Sequence, residues 1–177
     1  MKAYAGIGSR ETPEEFKTLI RVLALNLASK GYALNTGLAI GADQSFIEGA
    51  VLIDGFINLY LPWKSYERKW LEALLKKYNS EKINITVYDR IRHEDAYNSV
   101  EKYHPRGKWL KRPVVCLHAR NYLIIKDVEF VICYTRDGKD SGGTGQGIRI
   151  ARDLNKPVYN LANKADIDKL CRLIRKE

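Results

Sequence analysis

The sequence has few of the residues that staple or anchor a chain. Its three cysteines, Cys116, Cys133 and Cys171, are scattered, and no two of them form a Cys-x-x-Cys pair. That spacing gives no disulfide framework and no zinc site, so a reducing compartment is expected and no metal is implied. His93, His104 and His118 lack metal-ligand spacing too, and each reads as a surface or capping histidine. No run approaches the roughly 20 apolar residues of a membrane span, and no leader-like stretch precedes the first strand-like run. A cytoplasmic protein with no membrane partner is the expectation. Internal repeats, low-complexity tracts and signs of a second domain are also absent. Acidic residues are in deficit, 21 against 30 lysines and arginines, and the net charge of +9 favours anionic partners such as nucleotides, nucleic acid or phosphate metabolites.

Ordinary globular composition, 45% hydrophobic and 29% charged over 177 residues, fits one domain with a substantial core, spanning 1–177. Glycine is concentrated where strand-like runs give way to helix-like ones. The richest stretch, Ser141-Gly142-Gly143-Thr144-Gly145-Gln146-Gly147, lies between an apolar run at 128–134 and a helix expected to open near Gly145. A second, Gly6-Ile7-Gly8-Ser9-Arg10, follows a strand-like start at 2–5. A third, Thr36-Gly37-Leu38-Ala39-Ile40-Gly41-Ala42-Asp43, follows the run 32–35. Turns of this kind let backbone approach a ligand and aim several N–H groups at one anion.

The first helix is expected to start at Pro13, with Thr12 as its N-cap and glutamate at N3, and to stop at Gly31. Further strands read at 32–36, 56–61, 83–88, 128–134 and 158–161. Helices read at 42–53, 63–78, 114–126, 145–154 and 165–175. Residues 89–113 read as a short helix plus a loop, so that 63–113 forms a basic helix and loop insertion. Strands alternating with helices argue a Rossmann-like α/β fold: a doubly wound, mainly parallel sheet with helices on both faces. Such sheets bind ligands outside the carboxyl ends of their strands, where the three glycine turns fall.

Within those turns each polar residue has two readings. Gly8 lets a helix start approach a ligand, Ser9 supplies a hydroxyl, and Arg10 offers a planar fork for phosphate or carboxylate. The bland alternative for Arg10 is a surface pair with Glu14. Thr36, Ser141 and Thr144 are hydroxyl donors, and Gly37, Gly41, Gly142, Gly143 and Gly145 supply backbone. Asp43 is either a first-turn helix residue or a partner for ribose hydroxyls. Glu48, further along that helix, is either solvated or a catalytic carboxylate. Arg120 and Asn121 stand on the helix before the 128–134 strand, which can carry them to the glycine-rich turn.

In this order the pieces resemble the SLOG superfamily of Rossmann-like proteins, above all its DNA-processing protein A branch. Gly8-Ser9-Arg10 is similar to that branch's "GSR" start. Thr36 to Asp43 is similar to its second turn, Arg120-Asn121 to its "RNR", and Ser141-Gly142 to its serine-glycine turn. The resemblance covers 3–161, with 63–113 unmatched. It implies a nucleotide-sized pocket at the carboxyl edge, no required cofactor, and a nucleotide-type ligand or single-stranded DNA. It also implies a stand-alone form common in phage genomes, which would act in the host cytoplasm, and assembly into homo-oligomers. A weaker likeness to the "lonely guy" phosphoribohydrolases implies cleavage of an N-glycosidic bond in a nucleotide or NAD. Their motif glutamate falls on Arg149 here, so an enzyme of that type would need Glu48 or Asp43 as its carboxylate. In Tyr122 the chain departs from "RNR".

Between these motifs, Lys64, Arg68, Lys69, Lys76, Lys77 and Lys82 accompany Trp63, Tyr66, Trp70 and Tyr78. Later basic residues from Lys102 to Arg112 surround Tyr103 and Trp109. Interleaved cations and aromatics can track a nucleic-acid backbone while stacking its bases. The plainer alternative for the first cluster is an apolar helix face with solvated lysines.

Overall fold

The computed structural model describes residues 1–140 and 142–176, with Ser141, Glu177 and the side chains of Lys108 and Lys176 outside the described set. In chain order the elements are β1 (Ala3–Gly8), α1 (Glu14–Ser29), β2 (Ala33–Thr36), α2 (Ala42–Val51), β3 (Ile57–Leu61), α3 (Arg68–Lys77) and β4 (Ile83–Val87). There follow α4 (Glu94–Tyr103), α5 (Arg112–Ile125), β5 (Phe130–Tyr134), α6 (Gly142–Asp153), β6 (Val158–Asn160) and α7 (Lys164–Lys176). Six strands form one sheet in the order β4-β3-β2-β1-β5-β6, every pair parallel. This is the Rossmann-like α/β arrangement expected from the alternation of strands and helices.

Alternation along the central strands assigns the two faces. Tyr4, Phe130 and Ile132 pack with Ile20, Leu23 and Leu27 of α1, Phe46 and Ile47 of α2, Leu71 and Leu74 of α3 and Leu170 of α7. Ala5, Ile7, Val131 and Cys133 point the other way, onto Ile124 and Ile125 of α5 and Ile148 and Ile150 of α6. Helix α4 joins that second layer through Ala96 and Val100, which meet Ala119 and Leu123 of α5. The chain thus winds outward from β1 to β4 with its helices on one face. It then crosses back over the other face to β5, making the β1–β5 junction the point where the strand order reverses.

Several boundaries differ from the sequence reading, each for a local reason. Strand β1 runs on through Gly8, because Gly6, Ile7 and Gly8 pair with Ile132, Cys133 and Tyr134 of β5. Thr12 does not cap α1: its hydroxyl donates to the Ser9 carbonyl at 2.7 Å, and Pro13 takes the N-cap position with extended backbone. Helix α3 begins at Arg68 rather than 63, since Glu67 adopts a left-handed φ of +47° that closes a separate turn after Trp63. Helix α6 opens at Gly142, so Gly142, Gly143 and Thr144 form its first turn instead of a loop before it. The segment read as an insertion at 63–113 supplies α3, the edge strand β4 and α4.

Candidate functional site

At the β1–β5 junction, on the carboxyl side of the sheet, lies a cavity of about 370 Å³. Its walls come from five places: the end of β1 (Ile7 to Arg10), the residues after β5 (Thr135 and Arg136), the first turn of α6, the start of α2, and α5. The register explains the convergence. Gly8 pairs with Tyr134, and the Ser9 N–H donates to the Tyr134 carbonyl at 3.0 Å, so both strands end at one level. Helix α6 leaves its first N–H groups without intrahelical partners, and its dipole presents partial positive charge at that end.

Asp43 and Arg120 form the floor of the site. Their side chains are 5% and 7% exposed, and Arg120 Nη1 lies 3.6 Å from Asp43 Oδ2. Asp43 Oδ2 also accepts the Ala39 N–H at 3.2 Å, with the N–H groups of Gly8 and Gly37 contributing to the same carboxylate. Between two of those donors Leu38, fully buried, holds a left-handed φ of +70°, a sparsely populated conformation for a leucine. Burial raises the Asp43 carboxyl above its ordinary value, and Arg120 and the backbone donors oppose that rise. The Arg120 guanidinium lies 5.7 Å from the Tyr66 ring centroid and donates to the Tyr60 carbonyl at 3.5 Å. Its Nε and the Tyr66 hydroxyl are buried with no hydrogen-bond partner among the described residues.

The cavity brings together Gly8, Ser9, Arg10, Asp43, Arg120, Asn121, Gly142, Gly143 and Thr144 from the residues named in the sequence. Asn121 braces α6, its Nδ2 donating to Gln146 Oε1 at 2.8 Å and to the Gly143 carbonyl at 3.4 Å. Ser141 lies outside the described residues. Thr36, Gly37, Gly41 and Gly145 do not line the cavity. The Thr36 hydroxyl donates to the Gly6 carbonyl at 2.7 Å instead of facing a ligand. The three glycines make room for protein: a Cβ on Gly37 would overlap the Arg120 guanidinium, one on Gly41 the Ser9–Arg10 backbone, and one on Gly145 the Asp140 backbone. Glu48 is also elsewhere, its Oε2 accepting from Arg21 Nε at 2.7 Å where α1 packs on α2. Glu14 pairs with Arg21 and Lys17, so Arg10 is not tied to it.

Four lining residues carry chemistry that the sequence reading left aside. Thr135 is buried and accepts from Asn160 Nδ2 at 2.7 Å, fixing the turn after β5. Arg136 is exposed and pairs with Glu11 at 3.6 Å. Ala39 supplies the backbone donor described above. His118 corrects the expectation of a surface or capping histidine. It is 9% exposed and stands in the cavity wall, its Nδ1 without a partner among the described residues. Burial lowers its pKa against an opposing hydrogen bond with Gln146, and His104, Arg120 and Arg149 nearby add to the lowering. His93 and His104 flank α4, but their Nδ1 atoms accept the N–H groups of Asp89 and Arg106, outside that helix, at 3.0 and 3.1 Å, so their side chains hold turns instead of capping it. Of the three lining arginines, Arg10 alone has no ion pair among the described residues. Asp43 is the one carboxylate among the described lining residues, and no His/Cys/Asp/Glu group there could hold a metal.

No protein-family model and no curated protein matches this chain. Solved structures do. DNA processing protein A from Helicobacter pylori, described by its single-stranded DNA binding mode, superposes with a TM-score of 0.61 at 20% identity, over 97% of this chain and 72% of that one. DNA processing protein A from Streptococcus pneumoniae gives 0.60 at 16% identity, over 99% of this chain but 56% of the other. A Moco carrier protein from Chlamydomonas reinhardtii gives 0.55 at 14% identity, over 98% and 85%. No helix among the described residues is long and apolar enough to cross a membrane. In fold, the chain is similar to DNA processing protein A and the Moco carrier protein, a Rossmann-like α/β arrangement.

Proposed function

We propose that the chain binds a phosphate-bearing nucleotide or nucleotide derivative in the cavity at the β1–β5 junction, its phosphate on the first turn of α6 and beside Arg10. The observation that carries this reading is a convergence: a helix N-terminus and an arginine free of ion pairs meet where the strand order reverses. The single lining carboxylate is already opposed by Arg120, so an anion entering the cavity meets net positive charge. A volume of about 370 Å³ suits one nucleotide, within the roughly 300–1,000 Å³ of ordinary ligand pockets. The structural neighbours, one described by single-stranded DNA binding and one a Moco carrier, support a ligand of this class.

The melting temperature measured against nucleoside mono-, di- and triphosphates, NAD, ADP-ribose and a short oligothymidylate tests this reading. A ligand at a hundredfold excess over its Kd adds about 2.7 kcal/mol, or roughly 5–10 °C for a chain of this length. Arg10 is exposed, so Arg10→Ala should leave the unliganded melt unchanged and remove most of the shift. No shift with any ligand, or a shift that survives Arg10→Ala, would overturn the assignment.

Cleavage of an N-glycosidic bond is the weaker reading. Arg149, where a glutamate would stand in a phosphoribohydrolase motif, donates to the carbonyls of Tyr103 and Asp140 at 2.9 and 3.1 Å. Glu48 is held by Arg21, and Asp43 is buried against Arg120. Among the described lining residues the one carboxylate, Asp43, is paired with Arg120 and not placed to activate water, so no free base is expected from nucleoside monophosphates or NAD. Base release that disappears in Asp43→Asn would reinstate the enzyme.

A further inference from the structure

A second and larger hollow, about 1,120 Å³, opens on the same edge of the sheet between the carboxyl ends of β3 and β4 and the first turn of α5. It lies in the basic, aromatic stretch of the sequence that the first cavity does not use. Trp63 follows β3, Tyr88 follows β4 and Tyr97 stands on α4, so three aromatic rings reach its wall. Lys64, Arg90, Arg92 and Arg112 line it as well, against one carboxylate, Asp89.

Asp89 offsets only part of that charge, being one carboxylate against four cations, with Arg92 among the charges that act on it. Its Oδ1 accepts the N–H groups of Ile91 and Arg92 at 3.0 and 2.9 Å, and its own N–H donates to His93 Nδ1. These bonds lock the 89–93 turn and fix the directions in which Arg90 and Arg92 leave it. The Arg90 guanidinium stands 4.1 Å from the Tyr97 ring centroid. None of the four cations makes an ion pair among the described residues, and all four are exposed. Clustered like charges repel one another, and the core gains nothing from them, so their concentration favours an anionic occupant. Beside the lining residues, Ile91 and Trp109 are 92% and 82% exposed, extending the apolar surface outward.

We propose that this hollow is a second binding site, separate from the β1–β5 cavity, for a nucleobase-bearing polyanion whose ring stacks on Trp63 or Tyr97 and whose phosphates meet Arg90, Arg92 and Arg112. Aromatic faces accept any base, and guanidinium groups grip phosphate by paired donors. Its volume exceeds one nucleotide, which suits either a nucleoside polyphosphate or a few unpaired residues of a nucleic-acid strand. The site does not depend on the reading of the first cavity.

Fluorescence anisotropy with two probes, a labelled nucleoside triphosphate and a labelled twelve-residue oligothymidylate, tests it on the full chain. The variants are the double charge reversal Arg90→Glu/Arg92→Glu and, as the control for the other site, Arg10→Ala. With melting temperature unchanged, the double reversal should weaken at least one probe tenfold or more and lower its salt slope by about two units. Arg10→Ala should leave that binding in place. Loss of triphosphate binding identifies a free nucleotide as the occupant; loss of oligothymidylate binding alone identifies a strand. Quenching of intrinsic fluorescence on binding that is lost in Trp63→Phe would place the ring on Trp63, and quenching that persists there would place it on Tyr97. The proposal is overturned if wild type binds neither probe, if the double reversal changes neither titration, or if Arg10→Ala abolishes both.

Discussion

Arg120→Ala is expected to destabilise the protein by roughly 3–5 kcal/mol at neutral pH, since removing one partner of a buried ion pair leaves the other charge uncompensated. That is a large share of the roughly 5–15 kcal/mol that holds a typical domain together. The pH dependence makes the prediction specific. Burial already raises the Asp43 carboxyl with Arg120 beside it, and losing the guanidinium removes the largest opposing influence. The folded-state value then rises further above the unfolded one. A group of this kind stabilises the fold fully below its unfolded value, and that contribution is lost as pH rises through its folded value. The deficit of Arg120→Ala should therefore be greatest near neutrality and shrink toward pH 4. Asp43→Asn added to the variant should recover part of the loss at neutral pH. Urea unfolding across pH 4 to 7 measures both effects, and a deficit indifferent to pH would refute a stranded carboxylate.

Gly41→Ala is expected to cost a comparable amount, about 3–5 kcal/mol, by combining left-handed strain with a backbone collision. Gly41 holds φ at +96° and starts α2, and a Cβ there would run into the Ser9 and Arg10 backbone, including the Arg10 carbonyl at 2.6 Å. Backbone cannot swing aside as a side chain can. Gly31 supplies the control: its φ is +78°, but nothing lies within 4 Å of the Cβ position. Gly31→Ala should therefore cost only the conformational part, about 1–2 kcal/mol. Comparing the two variants by denaturant unfolding separates strain from collision. Because the collision displaces the loop that carries Arg10, Gly41→Ala should also weaken nucleotide binding tenfold or more, whereas Gly31→Ala should not. Equal costs for the two substitutions would mean the loops do not meet as described.

The alternation of apolar runs and helical periods was legible, and it led directly to the sheet. Glycine marked the carboxyl edge of the sheet, where the cavity lies, but only some of the glycines face that cavity. Gly8, Gly142 and Gly143 face the cavity, whereas Gly37, Gly41 and Gly145 let one loop press on another. Sequence alone cannot separate those uses, because close approach to a phosphate and close approach to a peptide demand the same missing Cβ. Thr36 has the same ambiguity, since its hydroxyl can meet a strand carbonyl, as it does at Gly6, as readily as an anion. His118 was read as a surface or capping residue because no local pattern surrounds it. Its place follows from α5 packing against α6, a contact between distant parts of the chain. Trp63 and the 89–113 residues belong to the second hollow only because β3 and β4 pair in register, bringing Leu61 opposite Val87.

The place of β1 at the middle of the sheet has a consequence for how the protein is made. Of the six strands β1 leaves the ribosome before the others and pairs early with β2, but its other neighbour, β5, is synthesised more than a hundred residues later. Domains form as their N-terminal parts appear, so β1 to β4 can assemble while one flank of β1 stays bare. During that interval the strand exposes unpaired backbone to any passing chain, the hazard that edge strands carry. The cavity between β1 and β5 does not exist in that half-made sheet. A ligand of that cavity would therefore bind only finished molecules, and adding one to a translation mixture should protect completed chains without touching half-made ones.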